Sequence, residues 1–241
     1  MTEAVADRKA VRRFVRIRQD VEPMDPREWG NLGTMVCWHR RYVLGDEQSE
    51  EDPERWLCDL VGVDQLELEE WWTARHKVDW QKLYSDEYSE KMKACEVWVR
   101  ERIQREVERQ LIILPLYLYD HSGITMNTIG FSCPWDSGQI GWIYVKKDQV
   151  RKEYGWKTIT AQRRKQVEDY LRHEVETYDM WLRNDVYGFE VVEVYECDLG
   201  HEHEKVTDSC WGFFGDDWNE NGIKDHLPDE LQDHEKWEMP W

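Results

Sequence analysis

The chain of 241 residues is 40% hydrophobic and carries a formal net charge of −19. It is long enough to bury a sizeable core, and its composition excludes a disordered chain. The charge is uneven: residues 45–70 hold 11 acidic and 1 basic residue, residues 197–241 hold 13 and 3, and the remaining 170 are close to neutral.

Residues 5–22 read as a basic lead-in ending in a strand, with Phe14, Val15 and Ile17 set among arginines. Pro26 suits the start of a short helix, and Gly30 and Gly33 mark turns. MVCWHRRYV (35–43) reads as a strand, and DEQSEEDPE (46–54) as a solvated loop. Residues 53–80 are helical in pattern, and Gly62 and Asp64 divide them into two helices, with Asp64 as an N-cap. The strongest helix covers 85–110, capped by Ser85 or Asp86. Its apolar residues, from Tyr88 and Met92 to Ile103 and Val107, recur at helical spacing.

LIILPLYLYD (111–120) reads as a strand whose Pro115 belongs at an edge or bulge. DHSG is a turn, ITMNTIGF (124–131) a second strand and GQIGWIYV (138–145) a third. A short helix ends at Gly155. Thr160 caps a long helix whose buried side holds Tyr170, Val175, Tyr178 and Leu182. YGFEVVEVYECD (187–198) is a further strand. The Gly- and Asp-rich tail shows one short helix near 228–236. The expected fold is α+β over a single domain, 1–241. It has a central antiparallel-rich sheet, three or four helices and an acidic, Trp-bearing segment at 197–241, in part extended.

Several function classes are disfavoured. No apolar run approaches the roughly 18–20 residues of a membrane helix. The start, MTEAVADRKAVRRFV, has no apolar signal core. Six Cys in a chain of this length do not make a disulfide scaffold. A soluble, cytoplasmic protein with reduced thiols is expected. Phosphate-cradling loops and the H-E-x-x-H pattern are absent. Two acidic segments on a neutral body attract basic partners rather than phosphate backbones, so direct nucleic-acid binding is not expected. Fifteen Trp suit packing seams, ligand walls or interfaces.

Three groups of residues carry candidate chemistry. Asp120, His121 and Ser122 in one turn, Cys133, Trp135 and Asp136 in the next, and Asp208 with Trp211 in the tail could line a small-ligand pocket. Asp120, His121 and Ser122 have the letters of a triad, but adjacent turn residues rarely face one another. There is no G-x-S-x-G elbow, so no catalytic residue is assigned. Cys197, His201, His203 and Cys210 are zinc-ligand types, in a spacing that matches no finger. Asp217, Asn219, Asn221, Gly222 and Asp225 match positions 1, 3, 5, 6 and 9 of a calcium loop, but its twelfth position is Pro228.

PREWGNLGTMVCWHRRYVLGD, LPLYLYDHSGITMNTIGFSCPWDSGQIGWIYV and DSCWGFFGDDWNENGIKDHL together resemble an uncharacterised protein family found mainly in bacteriophage genomes. The resemblance implies a phage-borne gene acting inside a bacterium, and transfers no catalytic role. Two function classes follow. One is an acidic binder that inhibits a host nucleic-acid-binding or defence protein by imitating a charged polymer, in the manner of a DNA mimic. The other is a small-ligand (nucleotide-like) binder or enzyme at the DHSG, CPWDSG and DSCWGFFGDD segments.

Overall fold

Side-chain caps set the helix boundaries. In the computed structural model, which describes residues 11–240, the Asp52 carboxylate accepts from the Glu54 and Arg55 amides, and Asp64 from Leu66 and Glu67. Ser85 accepts from the Tyr88 amide. Each cap satisfies amides that the first helical turn leaves without a partner.

In chain order the elements are β1 (Arg12–Gln19), β2 (Thr34–Cys37), β3 (Glu47–Gln48), α1 (Pro53–Val61), α2 (Gln65–Arg75) and α3 (Asp86–Gln110). Then come β4 (Leu111–Asp120), β5 (Ile124–Asn127), β6 (Ser137–Lys146), α4 (Lys147–Tyr154), α5 (Ala161–Leu182), β7 (Val186–Glu196), β8 (Glu202–Phe214) and β9 (Trp237–Glu238). Short 3-10 turns lie between β8 and β9. The fold is α+β. The strands fall into two mixed sheets rather than one, ordered β8-β7-β1-β9 and β3-β2-β6-β4-β5. Among the described residues no helix is long and apolar enough to cross a membrane.

The chain divides into two compact units, both discontinuous in sequence. The first unit comprises residues up to Gly30, Tyr119–Met126 and Val175 onward. Its sheet is built on β7, which pairs antiparallel with both β1 and β8, while β9 adds in parallel to β1. Val15 and Ile17 of β1 and Phe189 and Val191 of β7 pack with Phe213, Ile223, Leu227, Leu231 and Trp237. The acidic tail therefore supplies five of these nine core residues.

The second unit comprises Asn31–Leu118 and Asn127–Glu174. Val61, Val107 and Leu111 form one apolar cluster, joined by Leu57, Leu60 and Tyr144. Trp72, Val78, Cys95 and Val99 form another, between α2 and α3. Trp38, Trp56 and Trp142 meet with ring centroids 5.2–5.9 Å apart, which is the seam packing that suits this residue. Glu174, buried near the end of this unit's share of α5, accepts from the Leu32 amide at 2.7 Å and from the Gly33 amide at 3.2 Å.

Several sequence expectations need correction. The strand predicted over 35–43 stops at Cys37, because His39 Nδ1 accepts from the Tyr42 amide and closes a turn. The strand predicted over 124–131 stops at Asn127, whose side chain accepts from the Ile129 and Gly130 amides. Tyr170 is 45% exposed, and its neighbour Leu171 takes the buried position on α5. The tail, expected as a Gly- and Asp-rich segment with a short helix near 228–236, carries a 13-residue strand, β8, and only 3-10 turns in 229–236. Residues 5–10 of the basic lead-in lie outside the described residues.

Candidate functional site

Asp120, His121 and Ser122 sit on the β4–β5 hairpin, in the first unit. Ser122 has φ +58° and Gly123 φ +149°, and the His121 amide donates to the Gly123 carbonyl at 3.0 Å. Their backbone builds a tight turn. Cys133, Trp135 and Asp136 belong to the second unit. There the Cys133 thiol donates to Asp136 Oδ2 at 3.6 Å, and the Ser137 hydroxyl donates to the Cys133 carbonyl. Trp135 is 91% exposed and so walls no cavity. Asp208 and Trp211 lie on β8, in the first unit. The eight residues are thus divided between two units.

The zinc-type residues are strung along a hairpin. Cys197 and His201 close the β7–β8 turn through the Cys197 amide and the His201 carbonyl. His203 stands opposite Tyr195, and Cys210 opposite Phe189. Cys210 lies seven steps along the strand from His203, roughly 23 Å at 3.3 Å per residue. The four side chains therefore do not converge on one point.

In the calcium-like loop, Asp217 accepts from the Asn219 amide and Asn221 Oδ1 from the Ile223 amide. Lys224 Nζ donates to Asn219 Oδ1 at 2.7 Å, so an ammonium group sits on one of the oxygens a cation would need. Gly222 adopts φ +90°. The loop is an Asx-type turn. Among the described residues no three His, Cys, Asp or Glu side chains gather so as to hold a metal ion.

None of the six Cys is in a disulfide. Burial pushes the Cys58 and Cys95 thiols up, away from the thiolate form.

The most organised polar arrangement lies on the sheet of the first unit. Arg16 projects from the face of β1 opposite Val15 and Ile17. Its guanidinium donates to both Glu204 oxygens at 3.0 and 3.1 Å, and its Nε donates to Glu238 at 2.8 Å. These bonds raise the arginine further and hold the Glu204 carboxyl below its usual range. Arg18 pairs with Glu190 at 3.0 Å, and Arg13 with Glu230 at 3.1 Å. The topology explains this order: β1 carries the arginines, its neighbours β7 and β9 carry Glu190 and Glu238, β8 beyond β7 carries Glu204, and a 3-10 turn carries Glu230.

The folded charge distribution differs from the linear one. Residues 11–30, 119–126 and 175–240 hold 24 acidic and 9 basic residues, a net of −15. The second unit holds 25 acidic and 21 basic, a net of −4. No described Lys or Arg pairs with Asp208, Asp216, Glu220, Asp225, Asp229 or Glu235. Sequence reasoning found the acidic tail but not the arginines of β1 that bind part of it. Their one signal was the alternating RRFVRIR pattern.

Compared with known proteins, the chain matches no family model, no curated protein and no solved structure.

Proposed function

We propose that the chain is a non-catalytic binding protein whose acidic unit engages a basic protein partner. One observation carries this reading. The first unit holds a net charge of −15, and its acidic tail is built into the sheet and core rather than trailing from them. Carboxylates on a folded scaffold keep their positions, so little ordering entropy opposes binding. Such a surface speeds the approach of a basic partner and selects against acidic ones. The resemblance to phage-borne sequences makes a host nucleic-acid-binding or defence protein the partner class, its basic groove occupied by charge mimicry.

The test is capture from bacterial lysate on the immobilised protein at about 50 mM and about 500 mM salt, since exposed charges are screened as the Debye length contracts. A parallel column carries the variant Asp208→Asn, Glu220→Gln, Asp229→Asn, Glu235→Gln. The expected result is a basic protein retained at low salt, shed at high salt and lost from the variant. No retained protein, or equal retention by both columns, overturns the proposal.

A further inference from the structure

We infer that a groove on the acidic unit is a slot for a cationic side chain, Arg or Lys, presented by the basic protein partner, with Trp211 as its wall. The inference rests on the reading above and names the point of contact. The groove, about 820 Å³, is open to solvent; it runs along the end of β1 and the loop after it, from Arg16 to Glu22, and is also lined by Trp211, Glu238, Met239 and Pro240.

Trp211 is 44% exposed, although burying an indole is worth several kcal/mol. It packs on one side all the same. The ring rests on Gly188 of the neighbouring strand, where a Cβ would stand 2.2 Å from Cε3. Tryptophan is among the residue types enriched at the energetic centres of protein interfaces. The face of an indole attracts a guanidinium or ammonium group placed within about 6 Å of it.

The charges of the lining select the same ligand. Its two arginines are already engaged, Arg16 by Glu204 and Glu238 and Arg18 by Glu190. Asp20 and Glu22 add two further acidic residues to the lining. With the partners of the arginines included, five carboxylates face two guanidinium groups. An anion would meet occupied arginines and surplus acids. A cation would meet carboxylates and an aromatic face, while Met239 and Pro240 offer apolar surface to the methylene stem of a Lys or Arg.

The test uses the whole chain labelled with ¹⁵N and a short oligo-arginine peptide, with the matching oligo-citrulline peptide as the uncharged isostere. The Trp211 indole resonance is identified by its loss in Trp211→Leu. The expected result is a saturable shift of that resonance with the arginine peptide only, and affinity weakened about two- to fivefold in Trp211→Leu, the range of an exposed cation–π contact. The loop variant Asp20→Asn with Glu22→Gln leaves the sheet untouched and weakens binding as well. If the peptide binds both variants as it binds the native chain, the groove is wrong. The acidic-unit reading then still stands, provided that the tail-neutralised variant has lost affinity. If the native chain does not bind the peptide at all, both fall.

Discussion

The indole of Trp211 lies against Gly188 across the β7–β8 pair. A Cβ at position 188 would meet the ring at 2.2 Å and the Cys210 carbonyl oxygen at 2.8 Å. The strand keeps a glycine here because the tryptophan occupies the space of a side chain. Gly188→Ala must lift the ring or shift β8. It is expected to destabilise the protein by about 1–3 kcal/mol, the usual cost of overpacking. Urea unfolding of the variant checks this, and an unchanged midpoint would show that the contact is looser than it stands here.

Trp237 ties the tail to the sheet. It is 8% exposed, and its Nε1 donates to the Leu231 carbonyl at 2.7 Å. Trp237→Ala removes a large core side chain and leaves that carbonyl without its donor, a loss of about 3–5 kcal/mol. Hydrogen exchange is the sensitive readout. Amides of β1 and β7 should lose protection in the variant. Native-like protection there would mean that the tail merely rests on the unit.

Glu174 holds the entry to β2. Glu174→Ala leaves the Leu32 and Gly33 amides without their carboxylate, at a cost of about 1–3 kcal/mol. Glu174→Gln keeps an acceptor oxygen and should lose less. Equal losses in the two variants, measured by denaturant unfolding, would assign the effect to packing instead.

Tyr187 makes the acidic unit sensitive to alkali. Burial, followed by the neighbouring Asp185, pushes its phenol up to about 12. The unfolded chain releases this proton near pH 10. Between about pH 10 and 12 the unfolded state therefore holds fewer protons than the folded one. The stability contribution is complete below pH 10 and is lost as pH rises toward 12. Tyr187→Phe should flatten that decline relative to the native chain. Parallel declines in the two proteins over this window would refute the assignment.

The helices were legible because their signals are local. Asp64 and Ser85 cap where they were expected to cap, and Gly62 and Gly155 end their helices in the left-handed region. The strand β8 was not legible. EHEKVTDSCWGFF has no alternation of apolar and polar residues, because nearly all of it is exposed on both faces. It is a strand because β7 lies beside it, with bulges at Thr207 and Gly212 taking up the irregular register. Ile223, Leu227 and Leu231 recur every four residues in an acidic run, but Pro228 interrupts that spacing and the segment folds as short 3-10 turns rather than as one helix.

The candidate sites followed the same division. Each polar turn was recognised as a turn, since Asx and glycine chemistry acts over a few residues. Which turns share a unit was beyond the reach of spacing. The Arg16 clamp joins residues 188 and 222 positions apart.

By itself the sequence determined the helix boundaries, the α+β class and the total charge, because caps, periodicity and ionisation depend on residues near in the chain. Only the tertiary structure decided that the acidic tail is a wall of a folded unit, that the β1 arginines neutralise part of it, and that Trp211 stays half exposed on a glycine. Those outcomes depend on strand pairing between distant segments, where burial and backbone hydrogen bonding outweigh the local preference of a charged run for solvent.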